Sequence, residues 1–399
     1  MTNKFDNKRI LIWGYGREGK STESFLNRCC KNADITVFEG KREDIDESLY
    51  DYIFKSPGIV LEGDYDKEKY TSQTQVFLEA HADKTIGITG TKGKSTTSTM
   101  LFSVLSGCTD KEVLLLGNIG QPCLDYYDSI TDDTIVVFEM SCHQLKHTTV
   151  SPHVAVFLNL YEDHLDYYHT MDAYFTAKSH IALYQKDTDA FFHGDNVPEI
   201  GCKSIETVIN YNECVARELY ELGVEGNHNQ FNAEFVVRIA TELYGCDRNA
   251  VLDVLKNFKG LSHRLELVAT LDLVRFFDDS ISTIPEATIS AATSVNDAKT
   301  LLIGGMDRGI DYSKLISFVR DNDRYNYIFM YASGKRIYES EGISSLPNTY
   351  YEEDLQAATS LAREITKSGS VILSPAAASY GYFKNFEERG DAFKAMLKR

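Results

Sequence analysis

Proline and tryptophan are scarce, with seven prolines and one tryptophan in 399 residues, which leaves no material for collagen-like or proline-rich disordered stretches. No apolar run approaches the roughly 20 residues that cross a bilayer. The amino terminus, MTNKFDNKRI, reads straight into a strand and not as a signal peptide, so the cytoplasm is the expected compartment. Positive charge is in deficit: 41 Lys and Arg stand against 59 Asp and Glu, a net −18. That balance repels nucleic acid and anionic membranes at long range, while local glycine loops and helix amino termini can still hold phosphate. CxxC pairs and zinc-ligand spacings are absent. The eight cysteines (29, 30, 108, 123, 142, 202, 214 and 246) are therefore expected to be reduced, mostly structural thiols.

What remains is an ordinary globular composition, 43% apolar and 25% charged, in a chain long enough for two or three domains. Strand-length apolar runs alternate with amphipathic segments, the pattern of an α/β protein with parallel sheets covered by helices. RILIW (9–13), a glycine-rich turn opening a helix through Ser24 to Cys30, and ITVFE (35–39) form one βαβ unit. KTIGITG (84–90) starts afresh, so a boundary is expected near residue 83. The middle stretch carries strands at TIVVFEM (134–140) and HVAVFLNL (153–160) and a helix at FNAEFVVRIATELYG (231–245). At LSHRLELVATLDLVRFFDDS (261–280) the pattern changes to paired strands, then βα alternation resumes through TLLIGG (300–305), YNYIFMY (325–331) and SVILSPAAA (370–378). The expected domains are 1–83, 84–262 and 263–399, meeting across clefts where substrates bind.

Several motifs carry the chemistry. GYGREG (14–19) fits GxGxxG between a strand and a helix, with Glu39 at the end of the next strand, as in a dinucleotide fingerprint. About 80 residues hold only half of a dinucleotide fold, so a single nucleotide diphosphate fits better; a turn serving packing alone is the other reading. SPGI (56–59) adds a turn beside the same cleft. The strongest local pattern is ITGTKGKSTT (88–97), a strand running into a glycine loop, a lysine, a hydroxyl pair and a helix. Its backbone amides can cradle the phosphates of ATP, Lys94 can reach the terminal ones and Ser95 can coordinate magnesium. The strict GxxxxGK[ST] spacing fails, since Ile88 stands where the first glycine belongs, and the match is to a shorter TGTxGKS loop. Glu139, ending TIVVFEM, could hold a metal or be a strand-end surface charge, and His164 in EDHLD could be a metal or phosphate ligand or merely structural. Lys178 in the helix AYFTAKSHI reads, on its own, as an exposed lysine.

Taken together the sequence resembles the Mur ligases of peptidoglycan synthesis nearly end to end. The resemblance is carried by GYGREGKS, SPGI, TGTKGKST, GNIGQP (117–122), FEMSCHQL (138–145), NLYEDHLD (159–166), AYFTAK, GNHNQFNA (226–233), SHRLE (262–266), FDDS (277–280), GGMDRG (304–309) and SPAAASYGYFKNFEERGDAF (374–393). It implies three domains: a Rossmann-like UDP-binding domain, a central P-loop ATPase domain and a carboxyl-terminal Rossmann-like domain. It also implies a cytoplasmic, usually monomeric amide ligase that uses ATP and Mg2+ to join UDP-N-acetylmuramoyl-L-alanine to glutamate through an acyl phosphate, in the service of cell-wall biogenesis, cell shape and division. By resemblance, Gly90, Thr91, Lys92, Gly93, Lys94, Ser95 and Thr96 hold the ATP phosphates, with Asn229, Asn232, Arg264 and Asp279 on the adenosine and ribose side. Ser95 and Glu139 would hold one magnesium, and His164 with a carbamylated Lys178 a second; Lys94, His164 and Lys178 are the catalytic set. Gly14, Gly16, Glu39, Ser56, Asn118, Ser141 and Gln144 would line the UDP-sugar site. Thr283, Arg308, Ser379 and Phe386 would bind the amino acid. The chain departs from the family at DSISTI (279–284), where Ile281 replaces a lysine and Ile284 an asparagine of DSKATN, and Arg308 stands for a lysine with planar bidentate geometry. An acidic amino substrate is expected, D-glutamate first and L-glutamate as the alternative.

Overall fold

Three sheets are built from the buried aliphatic runs in the computed structural model, which describes residues 2–61, 63–217, 219–224 and 227–398. The first sheet consists of β1 (Arg9–Trp13), β2 (Asp34–Phe38), β3 (Tyr52–Lys55) and β4 (Tyr70–Thr71), ordered β2-β1-β3-β4 with every pairing parallel. Helix α1 (Arg17–Cys29) connects β1 to β2, and α2 (Gln73–His81) follows β4.

The second sheet is wholly parallel, in the order β10-β9-β8-β5-β7-β6, from β5 (Thr85–Thr89), β6 (Glu112–Gly117), β7 (Thr134–Glu139), β8 (Val154–Phe157), β9 (Ala190–Gly194) and β10 (Ile205–Ile209). Its helices include α3 (Lys94–Cys108), α4 (Cys142–Leu145), α5 (Leu165–Tyr168), α6 (Met171–Ser179), α7 (Tyr211–Arg217) and α8 (Asn227–Arg238). The helix expected at 231–245 is α8 continued by a π-helical turn, Ile239–Leu243. After β5 the chain runs to the edge at β6, returns as β7 on one side of β5, then places β8 on the other. This reversal opens a crevice at the carboxyl ends of β5, β7 and β8, the usual ligand position in such sheets.

The first two sheets share one apolar core. Phe5, Ile10, Phe25, Phe54 and Phe77 pack with Leu116, Leu124, Phe138 and Leu145. The chain accordingly divides into two compact units, one ending at Phe258 and the other beginning at Lys259.

The second unit holds β11 (Glu266–Leu271), β12 (Val274–Asp278), β13 (Ala298–Ile303), β14 (Asn326–Met330), β15 (Thr349–Glu352) and β16 (Gly369–Leu373), ordered β11-β12-β16-β13-β14-β15. The paired strands read from the sequence form the antiparallel β11–β12 hairpin; the other pairings are parallel. Leu301 and Ile303 enter one core and Leu302 the other, so the second half of β13 is buried on both faces and is apolar there, while Lys299 near its start is exposed. Among the described residues no helix is long and apolar enough to cross a membrane.

Candidate active site

β5 delivers the chain into the loop 90–93, where Gly90 (φ 153°) and Gly93 (φ 87°) take conformations that glycine alone adopts readily. Gly93 is the N-cap of α3, and a Cβ there would lie 2.6 Å from Asn232 Oδ1 of α8, so the position excludes a side chain on two counts. No side chain caps α3, which leaves its amino-terminal N–H groups for an anion. Asn159, just past β8, clamps the loop: its carbonyl accepts from Thr91 N–H (2.9 Å), its Oδ1 from Lys92 N–H (2.9 Å), and its Nδ2 donates to the Lys92 carbonyl (3.0 Å). Sequence reasoning missed Asn159; its place at the head of NLYEDHLD was the available signal. Lys94 Nζ donates to the carbonyls of Gly90 (3.0 Å) and Thr91 (3.1 Å). Ser95 is buried in the first turn of α3, Thr96 is half-buried, and the exposed Lys92 pairs with Asp163 at 3.2 Å. Asn229 and Asn232 are both buried in α8, with Asn232 Nδ2 donating to Asn229 Oδ1 (3.2 Å).

Lys178, read from sequence alone as exposed, is only 1% exposed. Helix α6 drives it onto the loop, where Nζ donates to the Gly90 carbonyl at 2.8 Å and Thr89 Oγ1 at 3.4 Å and lies 4.9 Å from the Tyr174 ring centre. Lys94 and Lys178 thus converge on one carbonyl oxygen. Burial, reinforced by the Lys94 charge, pulls the Lys178 amine down to about 7, against the attraction of Cys142, Asp163 and Glu139. Glu139 is likewise no surface charge: it is fully buried, Oε1 accepts from Asn118 Nδ2 (2.7 Å), and Oε2 is buried without a partner. A buried, unpaired carboxylate oxygen at the end of β7 and a buried serine hydroxyl in the first turn of α3 are donors of the kind that suit a hard cation such as Mg2+. His164 is exposed, in the left-handed region (φ 54°), with its ring edge-on to His143 at 5.3 Å between centres.

On the first sheet, Gly14 (φ 93°) faces the SPGI turn so closely that a Cβ would fall 2.8 Å from Ser56 Oγ and Ile59 Cδ1, and Ser56 Oγ donates to the Gly14 carbonyl at 2.9 Å. Gly16 is the N-cap of α1, again with no side-chain cap. Glu39 stands exposed just beyond β2. Ser141 and Gln144 form a capping box on α4, and Gln144 Nε2 continues to Glu18 Oε1 (2.8 Å), joining FEMSCHQL to GYGREG. Arg17 adds hydrogen bonds to the carbonyls of Gly117 (3.0 Å) and Gly120 (3.2 Å), so Asn118 and the GNIGQP turn lie on the same side.

The remaining predicted residues belong to the second unit. Asp279 is buried, which pushes its carboxyl up to about 6; Oδ2 accepts from Ser374 Oγ (2.7 Å) and Oδ1 from Leu265 N–H (3.2 Å), and Arg264, next to Leu265 in the chain, is exposed. Arg389, fully buried and not anticipated, ties FDDS to SPAAAS by donating to Ser280 Oγ (2.9 Å), the Ser280 carbonyl (2.8 Å) and the Ala377 carbonyl (3.0 Å). Ser280 Oγ in turn donates to the Phe386 carbonyl (2.9 Å). Ser379 is buried, Thr283 half-buried, and Ile284, 47% exposed, is the N-cap of the helix Pro285–Ser294. Arg308 is exposed beyond β13. His263, Glu266 and Asp278 are the one group of three metal-type side chains among the described residues, but the Lys394 ammonium already sits 2.7 Å from Glu266 and 3.8 Å from Asp278. Of the GNHNQFNA stretch, Gly226 lies outside the described residues.

Residues 88–242 match the Mur ligase middle domain. The UDP-N-acetylmuramoylalanine–D-glutamate ligase of Oenococcus oeni is 30% identical over 435 residues, spanning 99% of this chain and 98% of that protein. The ligase of the same name from Streptococcus thermophilus is 30% identical over 99% of this chain and 98% of its own length. Among solved structures, the MurF ligase of Thermotoga maritima in complex with ADP is similar with a TM-score of 0.56 at 16% identity, covering 98% of this chain and 95% of that one. The UDP-N-acetylmuramate–alanine ligase MurC of the same organism has a TM-score of 0.54 at 18% identity, covering 98% and 99%. These two structures bear on the fold.

Proposed function

The chain belongs to the Mur ligase family of ATP-dependent amide ligases, and from that premise we propose that it adds D-glutamate to UDP-N-acetylmuramoyl-L-alanine in peptidoglycan precursor synthesis. The observation that carries the reading is the meeting, at the carboxyl ends of β5 and β7, of an uncapped glycine loop, two lysines on one carbonyl and an unpaired buried glutamate oxygen. An anion arriving there neutralises Lys94 and draws it off the Gly90 and Thr91 carbonyls.

A carboxylate is a poor acyl donor, so the sequence of steps is activation and displacement. The alanyl carboxylate oxygen attacks the γ-phosphorus of ATP and ADP leaves; the amine of glutamate then attacks the carbonyl carbon of the acyl phosphate, inorganic phosphate leaves, and the ammonium proton passes to solvent. The loop N–H groups and Lys94 stabilise the charge spread over the transferring phosphoryl oxygens. Mg2+, when bound, supplies further neutralisation of that charge, and Ser95 and Glu139 are the residues to hold it, with His164 and Lys178 at a second site. A Lys178 amine brought down to about 7 has a neutral fraction near pH 7 that an ordinary lysine lacks, and this form can attack CO2 and, on losing a proton, become a carbamate anion. Asn229 and Asn232, with Arg264 and Asp279, serve the nucleoside. Gly14, Gly16, Glu39, Ser56, Asn118, Ser141 and Gln144 serve the UDP-sugar. Thr283, Arg308, Ser379 and Phe386 serve glutamate. The corresponding domains are 1–83, 84–262 and 263–399, working in the cytoplasm as a monomer.

Ile281 and Ile284, where the family carries lysine and asparagine, favour a second reading with L-glutamate as the amine. Phosphate release from ATP in the presence of UDP-N-acetylmuramoyl-L-alanine, compared with D-glutamate, L-glutamate and no amino acid, decides between them. Release dependent on D-glutamate is expected; dependence on L-glutamate replaces the first reading with the second, and release with neither overturns both.

A further inference from the structure

Lys55 ends β3 immediately before the SPGI turn and is 6% exposed. All three of its ammonium hydrogens have acceptors, and every acceptor is a neutral carbonyl of that turn: Ile59 at 2.8 Å, Ser56 at 3.0 Å and Pro57 at 3.4 Å. Among the described residues no carboxylate forms an ion pair with it. A buried ammonium held by neutral dipoles alone keeps its charge uncancelled, a costly arrangement unless an anion completes it. Its neighbours sharpen the point. Burial is the main influence on Lys55, with Lys146, beyond α4, opposing its charge and Glu18 of α1 favouring it; burial first, and then neighbouring charges that include Lys55, pull the His143 and His147 imidazoles down.

The same three hydrogen bonds fix the turn. With its carbonyls drawn onto the ammonium, the turn keeps one backbone donor, Gly58 N–H, that has no partner among the described residues, and a Cβ on Gly58 would meet nothing within 4 Å. Across the Ser56–Gly14 contact lies the uncapped amino terminus of α1. We propose that Lys55 is a positioning residue for the diphosphate of the UDP-sugar: it shapes the 56–59 turn so that Gly58 N–H and the first turn of α1 face one anion, and it places an uncancelled positive charge behind them. Lys55 does not touch the ligand, since its donors are spent on the turn. This rests on the UDP-sugar reading of the first sheet.

Calorimetric titration of the full chain with UDP and with UDP-N-acetylmuramoyl-L-alanine tests it, alongside KM for each substrate. Lys55→Met is expected to weaken both uridine ligands about tenfold, equal to 1.4 kcal/mol, while KM for ATP stays within twofold. Lys55→Arg, which keeps the charge, is expected to restore most of the affinity. In the wild type, affinity for UDP should fall as pH rises through about 8, where Lys55 loses its proton, and this dependence should vanish in Lys55→Met. Wild-type-like UDP affinity in Lys55→Met, or an equal loss in KM for ATP and the uridine ligand, overturns the proposal. Should Lys55→Met fail to fold, the Lys55→Arg affinity and the wild-type pH profile decide alone: a flat profile between pH 7 and 9 is fatal. A wild type that binds no uridine ligand at all overturns the UDP-sugar reading instead.

Discussion

Lys178 shows how a single side chain can be invisible to local pattern, reached in the sequence only through the family resemblance, and yet dominant in structure. Nothing in AYFTAKSHI distinguishes a lysine facing solvent from one facing the phosphate loop; the difference arises because α6 packs across the end of β5, which no local pattern encodes. Its depressed amine has a thermodynamic signature. Between about 7 and the ordinary value of 10.5 the unfolded chain binds a proton that the folded chain does not, so stability rises with pH across that window. In CO2-depleted buffer, the melting temperature of the wild type should climb from pH 7 to pH 10 more steeply than that of Lys178→Met, as read by differential scanning calorimetry; parallel profiles would show that Lys178 titrates normally. Lys94 was, by contrast, fully legible, because the loop spacing names it. Lys94→Ala is expected to lower ATP turnover by at least about 100-fold, the scale of one lost transition-state charge contact, while UDP binding by calorimetry is unchanged. Asn159 lies between these cases: its motif was visible, but its three hydrogen bonds to the loop depend on β8 lying beside β5, a pairing that sequence does not announce.

At the scale of elements, strands were legible and connections less so. β1, β5, β7, β13 and β16 are buried on both faces over most of their length, hence written around apolar stretches such as ILIW, IVVF, LLI and VIL. The GYGREG turn and the 88–97 loop were legible because a strand, glycines and a helix start follow one another in the chain. The link between them was not: the Gln144–Glu18 hydrogen bond joins residues 126 positions apart. Gly93 carries the tightest constraint of the loop, since it both takes a left-handed conformation and abuts Asn232. Gly93→Ala should destabilise the enzyme by about 1–3 kcal/mol and raise KM for ATP at least tenfold, because α3 and α8 can no longer approach. Chemical denaturation and steady-state kinetics check the two halves of that expectation separately.

At the scale of the whole chain, the change to paired strands near 262 was a local signal and lies close to where compactness breaks, between Phe258 and Lys259. The sequence also marks 83 as a boundary, and a new sheet does begin at Thr85, but Phe5, Phe25 and Phe77 complete their burial against side chains from beyond it. Residues 259–399, with a sheet covered on both faces by its own cores, should fold as an isolated fragment with one cooperative thermal transition by circular dichroism. Residues 1–83 alone should not. A molten profile from the first fragment, or a cooperative one from the second, would reverse this picture.

That shared core also sets what can be exchanged between relatives. A graft that moves only the first sheet into another ligase carries Phe25 and Phe77 away from Leu116, Leu124, Phe138 and Leu145, and exposes both halves of a surface neither can solvate. The transferable piece is 1–258 taken whole, so lineages that recombine these enzymes should show crossover points near 258 far more often than near 83.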